Sequence, residues 1–182
     1  MSEIPRTPAG SVRLVVASPD DEAAFCEAAR RGNERRLYPL RPLRPDTSEG
    51  FRRWLGHYVG PKALLLAYTE EQTLAGSVTF TLLNEWRLNG EMAIEAFPGF
   101  EDLRLMEEAV AAAIRWAFAP NDLFASGLHR VVSLVEEETV PDTEALLRNL
   151  GFRYEGVSHS EIRTGADEWR DSRRFTLVRD ES

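Results

Sequence analysis

The chain has 182 residues and a formal net charge of −8, with 30 acidic residues against 22 basic ones, and this length suits one domain with a substantial core. The 43% hydrophobic and 29% charged fractions exclude a largely disordered chain. The acidic balance argues against a nucleic-acid-binding surface, and the lone cysteine, Cys26, excludes a disulfide framework. Because the sequence also lacks a membrane-spanning apolar run and the pattern of a signal peptide, we expect a cytoplasmic protein without nucleic-acid or membrane partners.

Hydrophobic periodicity divides the chain into strands, where apolar residues alternate, and helices, where they recur on one face. Polar caps mark helix starts at Ser18 and at Thr47 or Ser48, and Gly60-Pro61 is expected to end the second helix. In chain order, the predicted elements are a strand at Ser11–Ala17, a helix from Ser18 toward Arg36, a helix from Thr47 or Ser48 to Val59, strands at Ala63–Tyr68, Leu74–Leu83 and Glu91–Phe97, a helix at Leu103–Phe118, a strand at Arg130–Val135, a helix at Pro141–Leu150, and strands at Phe152–Ile162 and Arg173–Arg179.

The three central strands lie so close in sequence that we predict an antiparallel meander, with Glu70-Glu71 and Asn89-Gly90 as turn residues. The alanine-rich helix that follows carries its apolar residues along one side and is the clearest helix in the sequence. No internal repeat and no interdomain linker interrupt the chain. The sequence therefore predicts a single domain, residues 1–182, of mixed α/β class.

Several motifs carry a family resemblance. Leu128-His129-Arg130-Val131 opens a strand, and Leu146 to Phe152 leads from a helix through Leu-Gly-Phe into Glu155-Gly156. Asp171 and the closing strand follow these motifs. The segment from Glu91 to Phe118 matches the sequence pattern of a known protein family without a gap. Together these motifs resemble the GCN5-related N-acetyltransferase (GNAT) superfamily, in the branch of the ribosomal-protein N-terminal acetyltransferases.

The resemblance implies an α/β (α+β) fold, a mixed and mainly antiparallel sheet of about seven strands flanked by about four helices. It implies an acyl-CoA-dependent N-acetyltransferase that moves an acetyl group from acetyl-CoA to a primary amine, either a protein N-terminus or a small amine. An amine-bearing substrate is then the expected partner, and homodimer formation is left open. Lys62 is the only lysine, a bias that indicates a GC-rich, bacterial genome.

The loop that binds the coenzyme A pyrophosphate in this family departs from its usual pattern here. Glu101, Arg104 and Met106 stand where the family has Arg or Gln, Gly, and Gly or Ala. Glu101 and Asp102 place carboxylates at a helix start, where they satisfy the helix dipole and repel a pyrophosphate. If acyl-CoA binds, the resemblance implies contacts from Glu95, Ala96, Phe97, Arg104, Leu105 and Met106. The alternative is a catalytically inactive GNAT-like binding or interaction module that has lost coenzyme A binding.

Acetyl transfer to an amine needs a carboxyl group of raised pKa or a chain of water molecules that accepts the amine proton, and a hydroxyl group that protonates the leaving thiolate. The resemblance points to Glu161 as the base, and Glu91 and Glu95, on one face of the predicted fourth strand, are alternatives. Thr143 stands where the family has its serine donor, although Val140 replaces the asparagine before it. A solvated surface role is the competing interpretation for each of these residues. The three histidines are too scattered to suggest a metal site, so we expect none.

Overall fold

Seven strands form one sheet in the computed structural model, which describes residues 11–35, 44–58, 62–101, 103–136, 143–163 and 168–179. The sheet order is β1-β2-β3-β4-β5-β7-β6, and all neighbours are antiparallel except β4 and β5, which are parallel. The strands are β1 (Val12–Val16), β2 (Lys62–Thr69), β3 (Leu74–Asn84), β4 (Asn89–Ala96), β5 (Arg130–Glu136), β6 (Arg153–Arg163) and β7 (Trp169–Val178). The predicted mixed, mainly antiparallel α/β fold is confirmed.

Four α-helices flank the sheet within the described ranges: α1 (Glu22–Arg35), α2 (Ser48–Leu55), α3 (Arg104–Phe118) and α4 (Thr143–Asn149). A short 3-10 turn at Pro19–Asp21 precedes α1, and Ser18 forms a capping box with Asp21 there. Thr47 caps α2 by accepting a hydrogen bond from the Gly50 backbone amide. None of the described helices has the length and apolar character needed to cross a membrane.

Two hydrophobic clusters lie on opposite faces of the sheet. The larger cluster contains α3 and the buried leucines of α4, and the smaller one contains residues of α1 and α2. Strand β4 contributes to both sides because successive side chains of a strand alternate. Met92 and Ile94 point into the α3 cluster, whereas Phe97, just after the strand, packs in the α1/α2 cluster. Odd-numbered residues of β4 therefore face α1 and α2.

The turn predicted at Asn89-Gly90 is wrong, because both residues belong to β4 and the chain turns at Glu85 to Leu88. Position 90 is occupied by glycine because of packing against Leu128. A Cβ there would lie 2.6 Å from Leu128 Cδ1, so the close approach of β4 to the segment around Leu128 requires glycine. Leu88 adopts the left-handed backbone conformation, with φ of 50°.

Two element boundaries also differ from those predicted. Helix α2 ends at Leu55, with Gly56 as its C-cap, and does not extend to Val59; Gly60-Pro61 lies outside the described residues. Strand β7 begins at Trp169, ahead of the predicted start at Arg173, because its polar first residues pair with β6. Sheet pairing thus extends the strand beyond its apolar pattern.

Candidate active site

An opening in the sheet separates the ends of β4 and β5. The two parallel strands pair from Asn89–Arg130 to Met92–Ser133, and no later pair joins them within the described residues. Strand β4 continues to pair with β3 as far as Ala96 and Gly76. The far ends of β4 and β5 therefore diverge, and the sheet offers a gap in which a ligand can lie between two strands.

A cavity of about 290 Å³ lies at this opening. Strand β4 contributes Glu91, Met92 and Ala93, and strand β5 contributes Leu134 and Glu136. The remaining lining residues are Arg44, Tyr58, Thr79 and Ile162. Because the odd-numbered residues of β4 face α1 and α2, the cavity lies mainly on that side of the sheet. Its acidic wall is suited to a cationic ligand such as an ammonium group.

Glu91 is a partly buried carboxylate of this cavity. Burial raises its pKa above the usual range, the nearby negative charge of Glu161 raises it further, and Arg174 partly opposes the shift. Glu161 accepts a 2.5 Å hydrogen bond from Ser172 Oγ and lies 3.6 Å from the Arg174 guanidinium. The structure thus brings two of the predicted glutamates together from β4 and β6. A carboxyl group with a raised pKa is a competent proton acceptor near neutral pH.

Glu95 shares the face of Glu91, as the strand alternation predicts, but it has a different environment. It is 6% exposed and forms a bidentate ion pair with Arg44, at 2.5 Å and 3.0 Å. The Arg44 guanidinium also lies 5.5 Å from the ring centre of Trp54, a cation–π distance. Glu95 therefore holds Arg44 in the cavity wall. Sequence reasoning missed Arg44, which lies in a proline-rich segment without periodicity.

The connection from β4 to α3 carries the predicted acyl-CoA contacts. The Gly99 amide donates a 2.8 Å hydrogen bond to Glu101 Oε2. This loop amide is therefore already bonded to a carboxylate of the chain itself. Leu103, at φ of 58°, is the N-cap of α3 and makes no side-chain capping bond. The start of α3 thus has no cap from the Leu103 side chain, and the Glu101 carboxylate lies just before it in the chain.

The other predicted contact residues occupy three kinds of environment. Arg104 is exposed and Leu105 partly buried on the first turn of α3, whereas the Met106 side chain is fully buried beneath Gly76. Ala96 and Phe97 are buried at the end of β4, where Phe97 packs edge-on against Phe25. Met106 can therefore meet a cofactor only through its backbone. Asp102 lies outside the described residues.

Thr143 is the first residue of α4 and is partly buried. The segment before it, including Thr139 and Val140, lies outside the described residues. The role of Thr143 as a proton donor stays a prediction. Among the described side chains, no three of His, Cys, Asp or Glu are grouped to hold a metal ion.

Comparisons with known proteins agree with this architecture. A family model described as an acetyltransferase (GNAT) domain matches residues 11–153. A comparison with curated protein sequences found no match. Among solved structures, ribosomal-protein-S5-alanine acetyltransferase from Vibrio fischeri is 19% identical, with a TM-score of 0.77 and 94% of each chain covered.

Two further solved structures contain coenzyme A. Spermidine N-acetyltransferase from Vibrio cholerae, in complex with CoA and spermine, is 15% identical, covers 92% of this chain and 95% of its own, and has a TM-score of 0.73. A ribosomal L7/L12 alpha-N-protein acetyltransferase in complex with coenzyme A is 14% identical and has a TM-score of 0.78. The match covers 96% of this chain and 97% of that one. At these identities the likeness shows the fold alone.

Proposed function

Since the chain belongs to the acetyltransferase (GNAT) domain family, we propose that it is an N-acetyltransferase that moves an acetyl group from acetyl-CoA to a primary amine, either a protein N-terminus or a small amine. The observation that carries this proposal is Glu91, whose partly buried carboxyl group has a raised pKa and lines a cavity at the opening between β4 and β5. The opening supplies space for the acyl donor, and the carboxylate supplies the base that an amine acceptor requires.

In the proposed reaction, the acceptor enters as an ammonium ion, which the carboxylates of Glu91 and Glu136 attract. The Glu91 carboxylate accepts one proton from the ammonium, and the neutral nitrogen attacks the thioester carbonyl carbon. A C–N bond forms, and Glu91 later returns its proton to solvent. The acylated nitrogen still carries one proton more than an amide and passes it to a hydroxyl group as the C–S bond breaks, while the same hydroxyl group gives its own proton to the departing thiolate, which becomes a thiol. Thr143, at the start of α4, is the proposed proton donor for that last transfer.

The acidic cavity wall supports an amine acceptor, and the names of the similar structures agree with this class, since one is an alanine acetyltransferase and another acts on spermidine. The cavity volume of about 290 Å³ accommodates a small amine or the first residue of a polypeptide. Both therefore belong in an acceptor panel.

Glu91→Gln tests the assignment of the base, with release of the coenzyme A thiol as the assay. Removing a general base of this kind lowers kcat by roughly 10²- to 10⁴-fold. In the wild-type enzyme kcat is expected to rise with pH through the raised pKa of Glu91, and the variant is expected to lose this acid limb. Glu136→Gln, in the same cavity, is the matched control and should retain kcat. A Glu91→Gln enzyme with wild-type kcat and an unchanged acid limb would refute the assignment.

One observation favours the inactive-module alternative: Glu101 accepts the Gly99 amide and places negative charge at the start of α3, where a pyrophosphate needs amide donors. If the loop binds acyl-CoA against this repulsion, Glu101→Gln should tighten acetyl-CoA in calorimetric titration. Glu70→Gln, in the exposed turn after β2, controls for the change in net charge. Undetectable binding by both the wild type and Glu101→Gln would support the inactive module.

A further inference from the structure

A second cavity, of about 540 Å³, lies at the opposite end of the paired β4–β5 segment from the active-site opening. It is an open depression bounded by the β3–β4 turn, the start of β5 and the end of β7. The residues that matter for its chemistry are Trp86, Arg87, His129, Arg130, Val178 and Arg179. The proposed acetyl-transfer chemistry does not use any of these six side chains.

Backbone hydrogen bonds hold the walls of this cavity together. The Leu88 carbonyl accepts bonds from the amides of His129, at 2.8 Å, and Arg130, at 3.3 Å, and the Arg179 amide donates to the His129 carbonyl at 2.8 Å. The Arg179 guanidinium also donates to the carbonyls of Phe118, at 2.8 Å, and Ser126, at 3.2 Å. The three segments thus form a preorganised site, which lowers the entropy lost on binding.

The charge of the cavity is opposite to that of the whole chain. Three arginines and a histidine line it, and no carboxylate is among its described lining residues, although the net charge of the protein is −8. Arg130 bonds to the Glu155 carboxylate outside the lining, at 2.7 Å and 2.8 Å, and its Nε is buried without a hydrogen-bond partner. Arg87 extends from the exposed turn. Guanidinium groups in such a cluster bind phosphate oxygens.

Trp86 stands at the rim of the same cavity and is 97% exposed. At this exposure both faces of the indole ring are accessible to a ligand. Its planar ring is suited to stacking on a nucleobase, an interaction that depends little on base identity. A planar apolar group therefore lies beside a cluster of cations.

We propose that this cavity binds a mononucleotide, with the base stacked on Trp86 and the phosphates held by Arg87 and its basic neighbours. The volume lies in the range of small-molecule sites and is larger than a lone phosphate needs. Because the chain as a whole is acidic, a nucleic-acid polymer would meet repulsion beyond the cavity. A single nucleotide places its charge only where the surface is basic.

The test uses ADP as the probe and the indole N–H signals of the 15N-labelled protein as the readout. Four tryptophans give four signals, and Trp86→Phe identifies the one at the rim. We expect ADP to shift the Trp86 signal saturably. Adenosine and inorganic phosphate should each bind at least about tenfold more weakly, because adenosine lacks the phosphates and inorganic phosphate lacks the base.

Three variants distinguish binding at this cavity from general electrostatic attraction and from binding at the acyl-CoA site. Arg87→Glu, in an exposed turn, should weaken ADP by about tenfold or more. Arg53→Glu, at an exposed position of α2, makes the same change in net charge and should leave ADP binding intact, as should Arg104→Ala at the start of α3. Equal weakening by Arg87→Glu and Arg53→Glu would show general electrostatics, and weakening by Arg104→Ala alone would place ADP at the acyl-CoA site. Either result would overturn the proposal, as would the absence of a saturable shift at millimolar ADP or tighter binding of a glutamate-rich peptide.

Discussion

The buried ion pair between Arg44 and Glu95 should dominate the stability of the active-site wall. Its oxygen and nitrogen atoms lie 2.5 Å and 3.0 Å apart, and the side chains are only 24% exposed for Arg44 and 8% for Glu95. Arg44→Met removes the cation and leaves a buried carboxylate without its partner. Breaking a buried pair in this way lowers the free energy of unfolding by about 3–5 kcal/mol.

Removing the Glu95 carboxylate instead should lower the free energy of unfolding by less, because the Arg44 guanidinium left behind is partly solvated. Glu95→Gln preserves shape and hydrogen-bonding capacity, so we expect a loss of about 1–2 kcal/mol. The direct attraction at an effective dielectric constant near 20 is roughly 5 kcal/mol, and desolvation offsets much of it. The double variant, which leaves no buried unpaired charge, should therefore lose less than the sum of the single variants, by about 2 kcal/mol.

Urea unfolding of the wild type, both single variants and the double variant measures this coupling, provided that the m-value stays constant. Arg52→Met is the matched control, since Arg52 pairs with Glu22 at 2.8 Å but is 69% exposed, and exposed pairs contribute less than about 1 kcal/mol. A stabilising role for the buried pair would be refuted if Arg44→Met were no more destabilising than Arg52→Met, or if the two cavity-wall substitutions were additive.

Three further results are expected. Glu161→Gln should move the acid limb of kcat to lower pH, because Glu161 raises the pKa of Glu91, and Arg174→Gln should move it to higher pH; pH–rate profiles of both variants check the two directions. Because folding raises the Glu91 pKa, its protonated form favours the folded state, and this contribution is lost as pH rises from about 4.5 through the folded pKa; Glu91→Gln should therefore gain stability over the wild type across that range in urea titrations. Gly76→Ala should destabilise by about 2 kcal/mol or more, since its Cβ would lie 2.3 Å from a β4 carbonyl oxygen, whereas Gly32→Ala, whose Cβ has no neighbour nearer than 3.9 Å, should stabilise helix α1 by roughly 0.5–1 kcal/mol.

Local patterns predicted most of the fold, and the exceptions have physical causes. The alanine-rich α3 and the capped starts of the first two helices follow from residues close in sequence. The glycine at position 90 misled the prediction because glycine serves two purposes, a turn conformation and a close approach, and only the tertiary contact with Leu128 distinguishes them. The true turn includes a left-handed leucine, Leu88, which turn propensities do not favour.

In the candidate site too, local patterns predicted some features, whereas others depended on tertiary contacts. Strand alternation placed Glu91 and Glu95 on one face, but it could not tell which carboxylate would be paired. That depends on Arg44, which reaches Glu95 across 51 positions of sequence. Ser172 is fully buried and donates to Glu161, yet no sequence signal distinguishes it from a surface serine. The strand face of these two glutamates was thus predictable from the sequence, whereas their partners required the fold.

Calorimetric titration with acetyl-CoA is the decisive test of the proposed activity, because it does not depend on knowing the acceptor amine. We expect saturable binding in the micromolar range that Arg87→Glu leaves unchanged, a control that is needed because acetyl-CoA also carries an ADP group that the second cavity is proposed to hold. Wild-type protein that shows no heat of binding at millimolar acetyl-CoA, while remaining folded by circular dichroism, would contradict the proposed acetyltransferase activity.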